Sequence, residues 1–180
     1  PAIGEHWIHN SLSIIAAGIY YDLDMNSILA GLRSFKLPLG RGNIIKLSIT
    51  GNSFWVIDDS YNSNPASLSA SLKRLAEINN KGKKIVVLGD MLELGEKSLD
   101  FHKSFKMQIE TGQINVLFTT GQYMKELYKI IDNDFKKYHD DNLDSLIIKL
   151  KALIEKDDVV LIKGSNSMNL KKIIKNIMNE

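Results

Sequence analysis

Ile57-Asp58-Asp59-Ser60-Tyr61-Asn62-Ser63-Asn64-Pro65 is the stretch that decides how this chain folds. An apolar run, Phe54-Trp55-Val56-Ile57, stops in two carboxylates, a polar loop follows, and Pro65 opens an amphipathic segment. A strand that delivers acidic and amide side chains into a loop ahead of a helix is how α/β proteins assemble ligand sites. Gly89-Asp90-Met91-Leu92-Glu93-Leu94-Gly95 repeats the arrangement one unit later, after the expected strand 84–88.

Working outward, strand and helix patterns alternate. Residues 65–79 read as a helix with Leu68, Leu72, Leu75 and Ala76 on one face, capped by Asn64 with Pro65 at its first position. Strands are expected at 84–88, 115–119 and 159–162, with a short edge strand at 135–138. Helices are expected at 97–111, 122–131, 142–154 and 167–178. Strands that are apolar on both faces and alternate with helices imply a parallel sheet covered on both sides, a small Rossmann-like α/β domain. Upstream, 9–21 reads as a helix, and Asn26 or Ser27 caps a second, shorter one. Leu37-Pro38-Leu39-Gly40-Arg41-Gly42 then breaks the pattern, strands begin at 44–47 and 54–57, and Gly51-Asn52 between them reads as a hairpin turn. The domain boundary is expected near residue 40.

Composition removes several functional classes. The chain has 180 residues and a net charge of +2, from 23 basic and 21 acidic residues, and its basic residues are dispersed. Nucleic acid is therefore not an expected partner, since binding it wants a concentrated basic face. With no cysteine there are no disulfides and no thiolate metal ligands, which fits a cytoplasmic location. No apolar run approaches the roughly 18 residues of a membrane span, and no signal peptide precedes the first helix, so a membrane is not an expected partner either. His6, His9, His102 and His139 show no metal-ligand spacing; His9 and His139 are expected at the surface, and the six methionines in the core.

In a parallel sheet the loops leaving each strand share the carboxyl edge, so 59–64, 89–95, 120–122 and 163–167 are expected to line one rim. No G-x-G-x-x-G follows the first strand, and no Walker A loop occurs: Gly82-Lys83 precedes a strand without the upstream glycine. Adjacent strand residues point to opposite faces, so Asp58 and Asp59 should not share a site. One is expected to cap the turn, and the other to accept hydrogen bonds from ligand hydroxyls or to sit near a metal. Lys163-Gly164-Ser165-Asn166-Ser167 ahead of a helix is either an anion seat or an ordinary N-cap at Ser167 beside a solvated lysine.

Four segments now carry a resemblance. Gly40-Arg41-Gly42, the 58–65 stretch, Leu88-Gly89-Asp90-Met91-Leu92-Glu93-Leu94-Gly95 and Val160-Leu161-Ile162-Lys163-Gly164-Ser165 occur in this order. Together they resemble the C-terminal part of a Mur ligase. Gly4-Glu5-His6-Trp7-Ile8-His9-Asn10 resembles the G-x-H-N-x-x-N segment at the end of that family's ATPase domain. The branch most similar joins D-alanyl-D-alanine to UDP-N-acetylmuramoyl-tripeptide in peptidoglycan precursor synthesis. The resemblance implies a remnant of the central ATP-binding domain over residues 1–40 and the C-terminal Rossmann-like domain over 41–180.

It also implies ATP and Mg²⁺ as cofactors, with the metal held mainly by parts of the central domain outside this chain, and an acyl phosphate on the substrate carboxylate that the incoming amine attacks. His6 and Asn10 would lie beside the adenine, Arg41 would reach ATP from the domain junction, and Asp59 would accept from the ribose hydroxyls. Tyr61, Asn62 and Asn64 would shape that loop, while Asp90, Lys163 and Ser165 would face the dipeptide. Trp7 stands where the family usually has Asn, and Asn166 where the motif often continues with Arg. Without a phosphate-binding loop the 180 residues alone are expected to fold but not to catalyse. The alternatives are a non-enzymatic Rossmann-like binding module and another Mur or folylpolyglutamate-type ligase.

Overall fold

The structure is a computed structural model that describes residues 5–178. Two compact units divide the chain, residues 1–38 and 39–180. In the first, α1 (Glu5–Tyr20) packs on α2 (Met25–Ser34). Gly18 makes the close approach possible, since a Cβ there would fall 2.4 Å from the Ile28 side chain. The cap of α2 is Asp24, not Asn26 or Ser27: its carboxylate accepts from the Ser27 backbone N–H at 2.9 Å. A carboxylate both fills the free N–H and complements the helix dipole.

The second unit is a six-stranded sheet in the order β1-β2-β6-β3-β4-β5. Its strands are β1 (Asn43–Ile49), β2 (Asn52–Asp59), β3 (Lys84–Gly89), β4 (Val116–Thr120), β5 (Lys137–His139) and β6 (Val159–Lys163). All neighbours are parallel except β1 and β2, which form an antiparallel hairpin at one edge. Its two-residue loop is Thr50-Gly51, both at positive φ, one residue before the expected Gly51-Asn52. That geometry matches the twist of the strands it joins.

Two cores flank the sheet, and strand alternation assigns each buried strand hydrophobic residue to one of them. Phe54, Val56, Val160 and Ile162 face α7 (Leu143–Leu153) and α8 (Lys171–Met178). Ile57, Val86, Leu88 and Leu161 face α3 (Pro65–Glu77), α5 (Lys106–Thr111) and α6 (Gln122–Ile130). Truncating a side chain such as Leu161, fully buried, costs ~2–5 kcal/mol through lost transfer energy and the cavity left behind.

Two expected helices are broken. The one at 97–111 splits into α4 (Ser98–Lys103) and α5, because the Ser104 hydroxyl bonds the Phe101 carbonyl at 2.8 Å and the chain turns Phe105 inward. The one at 167–178 begins instead as a 3₁₀ turn, Asn166–Met168, passes Asn169 in left-handed conformation, and becomes α8 only at Lys171. His139 is not at the surface: its side chain is 10% exposed, with Nδ1 3.0 Å from Thr119 Oγ1. Its Nε2 lies 3.4 Å from Asp141 Oδ1, within ion-pair range for a protonated ring but not a hydrogen bond.

Candidate functional site

Asp59 and Lys163 are the last residues of β2 and β6, and the register sets them directly opposite each other. Both share strand parity with Ile57 and Leu161, so both project toward α3. There Lys163 Nζ donates to Asp59 Oδ2 at 2.7 Å and to the Asn62 carbonyl at 3.0 Å. Ser71, on α3, donates to the same Oδ2 at 2.6 Å. Asp59 Oδ1 takes no hydrogen bond from the described residues, and the side chain is 19% exposed, against 2% for Lys163. One oxygen of this carboxylate is anchored; the other is the acceptor the site has to offer. Burial pushes the Lys163 ammonium below the usual lysine range, with Asp59 opposing the shift and Arg41 adding to it.

Asp58 points to the opposite face and closes its own turn, accepting from the Ser60 N–H at 3.2 Å and hydroxyl at 2.6 Å. The two aspartates therefore do not share a site. Beyond the turn, the Arg41 guanidinium stacks 4.2 Å above the half-exposed Tyr61 ring. Gly40, at positive φ, allows this approach, since a Cβ there would fall 2.9 Å from the Tyr61 nitrogen. Asn62 Oδ1 accepts from the Ser63 N–H, and Asn64 caps α3 in a reciprocal box with Ser67. The Ser63 hydroxyl is buried and has no hydrogen-bond partner among the described residues.

The 89–95 loop is built differently. Asp90 is buried, and its carboxylate accepts from the Met124 N–H at 2.7 Å and the Tyr123 N–H at 3.2 Å. It thus supplies the α6 N-terminus with the cap that Gly121 lacks. Ser165 ties this loop to β6: its hydroxyl accepts from the Leu92 N–H at 2.8 Å, and its own N–H donates to the Asp90 carbonyl. His102 anchors the loop from below. Its Nε2 accepts from the Met91 N–H at 2.9 Å, so the ring proton sits on Nδ1 and is donated to the Ser98 carbonyl. Burial depresses the His102 pKa, opposed by the Ser98 carbonyl and Asp90.

The structure thus gathers Arg41, Asp59, Tyr61, Asn62 and Lys163 at one point of the rim, and joins Asp90 to Ser165 at another. Asn64 serves the helix cap. Asn10 is exposed on α1 in the other unit, and His6 lies outside the described side chains. Sequence reasoning missed Ser71. The signal was there: a polar residue at helical spacing from Leu68 and Leu75, on the stripe of α3 that faces the core. Among the described residues no group of three or more His, Asp or Glu is placed to hold a metal.

Residues 40–166 match the family profile described as "Mur ligase, glutamate ligase domain". The chain belongs to the Mur ligase family. Among curated relatives, the UDP-N-acetylmuramoyl-tripeptide--D-alanyl-D-alanine ligases of Bacillus subtilis and Buchnera aphidicola subsp. Baizongia pistaciae are 32% and 34% identical over 99% and 100% of the chain. The chain spans only 39% and 38% of the length of these relatives. Among solved structures, MurF from Acinetobacter baumannii superposes with a TM-score of 0.81 at 24% identity, over all of the chain and 39% of that protein. A Thermotoga maritima MurF ligase solved in complex with ADP gives 0.73 at 23% identity, over 92% of the chain and 36% of that protein. These structures share the fold of the chain. No described helix is long and apolar enough to cross a membrane.

Proposed function

We propose that this chain is the C-terminal portion of an ATP-dependent ligase that joins D-alanyl-D-alanine to UDP-N-acetylmuramoyl-tripeptide, a step in making peptidoglycan precursor in the cytoplasm. Residues 1–40 belong to its central ATP-binding domain and 41–180 form its C-terminal domain. The observation that carries the reading is Asp59: a strand-end carboxylate anchored by one oxygen and open at the other. It stands in a chain that matches proteins named for this reaction along nearly its whole length.

In the reaction, the tripeptide carboxylate takes the γ-phosphoryl group of ATP and ADP leaves. The dipeptide amine then attacks the acyl carbon, phosphate departs, and the amide remains. The part played by this chain is binding and orientation. Asp59 Oδ1 accepts from the ribose hydroxyls, Tyr61, Asn62 and Asn64 hold the loop that carries it, and Arg41 supplies a cation for the phosphates. His6 and Asn10 occupy the family's adenine positions. Asp90 and Ser165 form the dipeptide side, where together they fix the loop. Mg²⁺ offsets the phosphate charge when bound; with no suitable carboxylate cluster among the described residues, it is assigned to the remainder of the central domain.

The test is Asp59→Asn in the full-length protein. A hydrogen bond to a charged group contributes ~1.5–3 kcal/mol, so KM for ATP should rise about ten- to a hundredfold while the fold survives. Unchanged ATP kinetics would remove the ribose assignment.

A further inference from the structure

Asp59 is held from two sides by groups that themselves have little room to move. Lys163 ends β6, is 2% exposed, and spends its ammonium on Asp59 Oδ2 and the Asn62 carbonyl. Ser71 reaches the same oxygen from the second turn of α3, with its hydroxyl also 2.9 Å from the Ser67 carbonyl. Both bonds converge on Oδ2 and neither on Oδ1. A carboxylate restrained by one oxygen in this way cannot rotate to exchange its two acceptors without breaking two charge-assisted bonds. The Asn62 carbonyl bond extends the restraint to the loop between β2 and α3, which carries Tyr61.

We propose that Ser71 and Lys163 are positioning residues for the nucleotide, holding Asp59 by Oδ2 so that Oδ1 alone meets the ribose hydroxyls. This rests on the assignment of Asp59 to the ribose made above. It gives Lys163 a different task from an open seat for the dipeptide carboxylate: its charge is spent within the protein, and its effect on the nucleotide passes through Asp59. A pre-set acceptor spares the ordering cost that a freely rotating carboxylate would incur on binding.

The experiment is a double-mutant cycle on the full-length ligase, reading KM for ATP, KM for D-alanyl-D-alanine and kcat. Ser71→Ala should raise KM for ATP about three- to tenfold, the effect of one hydrogen bond, with kcat and the dipeptide KM unchanged. Ser71→Thr keeps the hydroxyl and should restore the wild-type value. Combined with Asp59→Asn, Ser71→Ala should add nothing, because the carboxylate it positions is gone. Lys163→Met, which keeps the length of the buried side chain, should follow the same non-additive pattern in the Asp59→Asn background, where no buried carboxylate is left uncompensated. If Asp59→Asn itself leaves KM for ATP unchanged, the nucleotide reading falls, and this inference with it. If Asp59→Asn acts but Ser71→Ala adds independently to it, or if Lys163→Met moves the dipeptide KM alone, the positioning role is overturned while the nucleotide reading stands.

Discussion

Single residues at this rim divide by whether their polar groups are spent inside the protein. Asp58, Asp90 and Ser165 are spent: each closes a turn, caps a helix or ties a loop. Asp59 keeps one oxygen back. His102 is also spent, and its state is sensitive to pH. Its pKa is depressed below 6.5 in the folded chain, so the unfolded chain binds more protons as pH falls past that value. The stabilisation from neutral His102 is complete above ~6.5 and is lost as pH drops through its folded value. Thermal melts should therefore show Tm falling on acidification, and His102→Gln should flatten that dependence. An unchanged slope in the variant would mean that other groups dominate. The sequence separated Asp58 from Asp59 by parity alone, but not which of them caps the turn; that is settled by Ser60, two residues on, whose hydroxyl reaches only Asp58. Nor was the anchoring of Lys163 legible. It depends on β2 and β6 lying side by side, a pairing of residues 104 apart in the chain.

At the scale of elements, local signals were readable where a helix or strand is specified by its own residues. The box of Asn64, Pro65 and Ser67 starts α3 where its sequence says it should, and β3, buried on both faces, follows from an unbroken apolar run. What could not be read was a cap supplied from elsewhere in the chain. The start of α6 at Gln122 is where the sequence puts it, but Gly121 offers no cap, and Asp90, 31 positions earlier, provides it. The same contact explains the glycine. Gly121 has φ of 101°, and a Cβ there would fall 2.4 Å from the Asp90 carboxyl carbon. Gly51 has φ of 85° with nothing within 4 Å of such a Cβ. Gly51→Ala should thus lose only the backbone term, roughly 1–2 kcal/mol, whereas Gly121→Ala adds a clash and a disturbed helix cap and should lose clearly more. Urea unfolding of the two variants measures the difference. Equal losses would show that Asp90 moves aside freely and does not hold α6.

Across the whole molecule, the alternation of strands and helices from residue 43 onward was enough to give a covered parallel sheet, because each strand's parity and each helix's apolar stripe demand a partner layer. The antiparallel β1–β2 edge was signalled only by its hairpin. The rim loops lie at the carboxyl edge, where parallel sheets build ligand sites, and all fall within or against the family match over residues 40–166. No Walker A loop occurs in the sequence, and in the proposed acyl-phosphate reaction the part assigned to this chain is to orient the nucleotide and the acceptor. The most direct measurement is ATP-dependent phosphate release by the full-length protein and by the 180-residue chain alone, with UDP-N-acetylmuramoyl-tripeptide and D-alanyl-D-alanine supplied together and singly. Release by the full-length protein only when both are present, with the amide product formed and no turnover by the 180 residues alone, is the predicted result. Turnover with a single amino acid in place of the dipeptide, or robust turnover by the 180-residue chain, would contradict it.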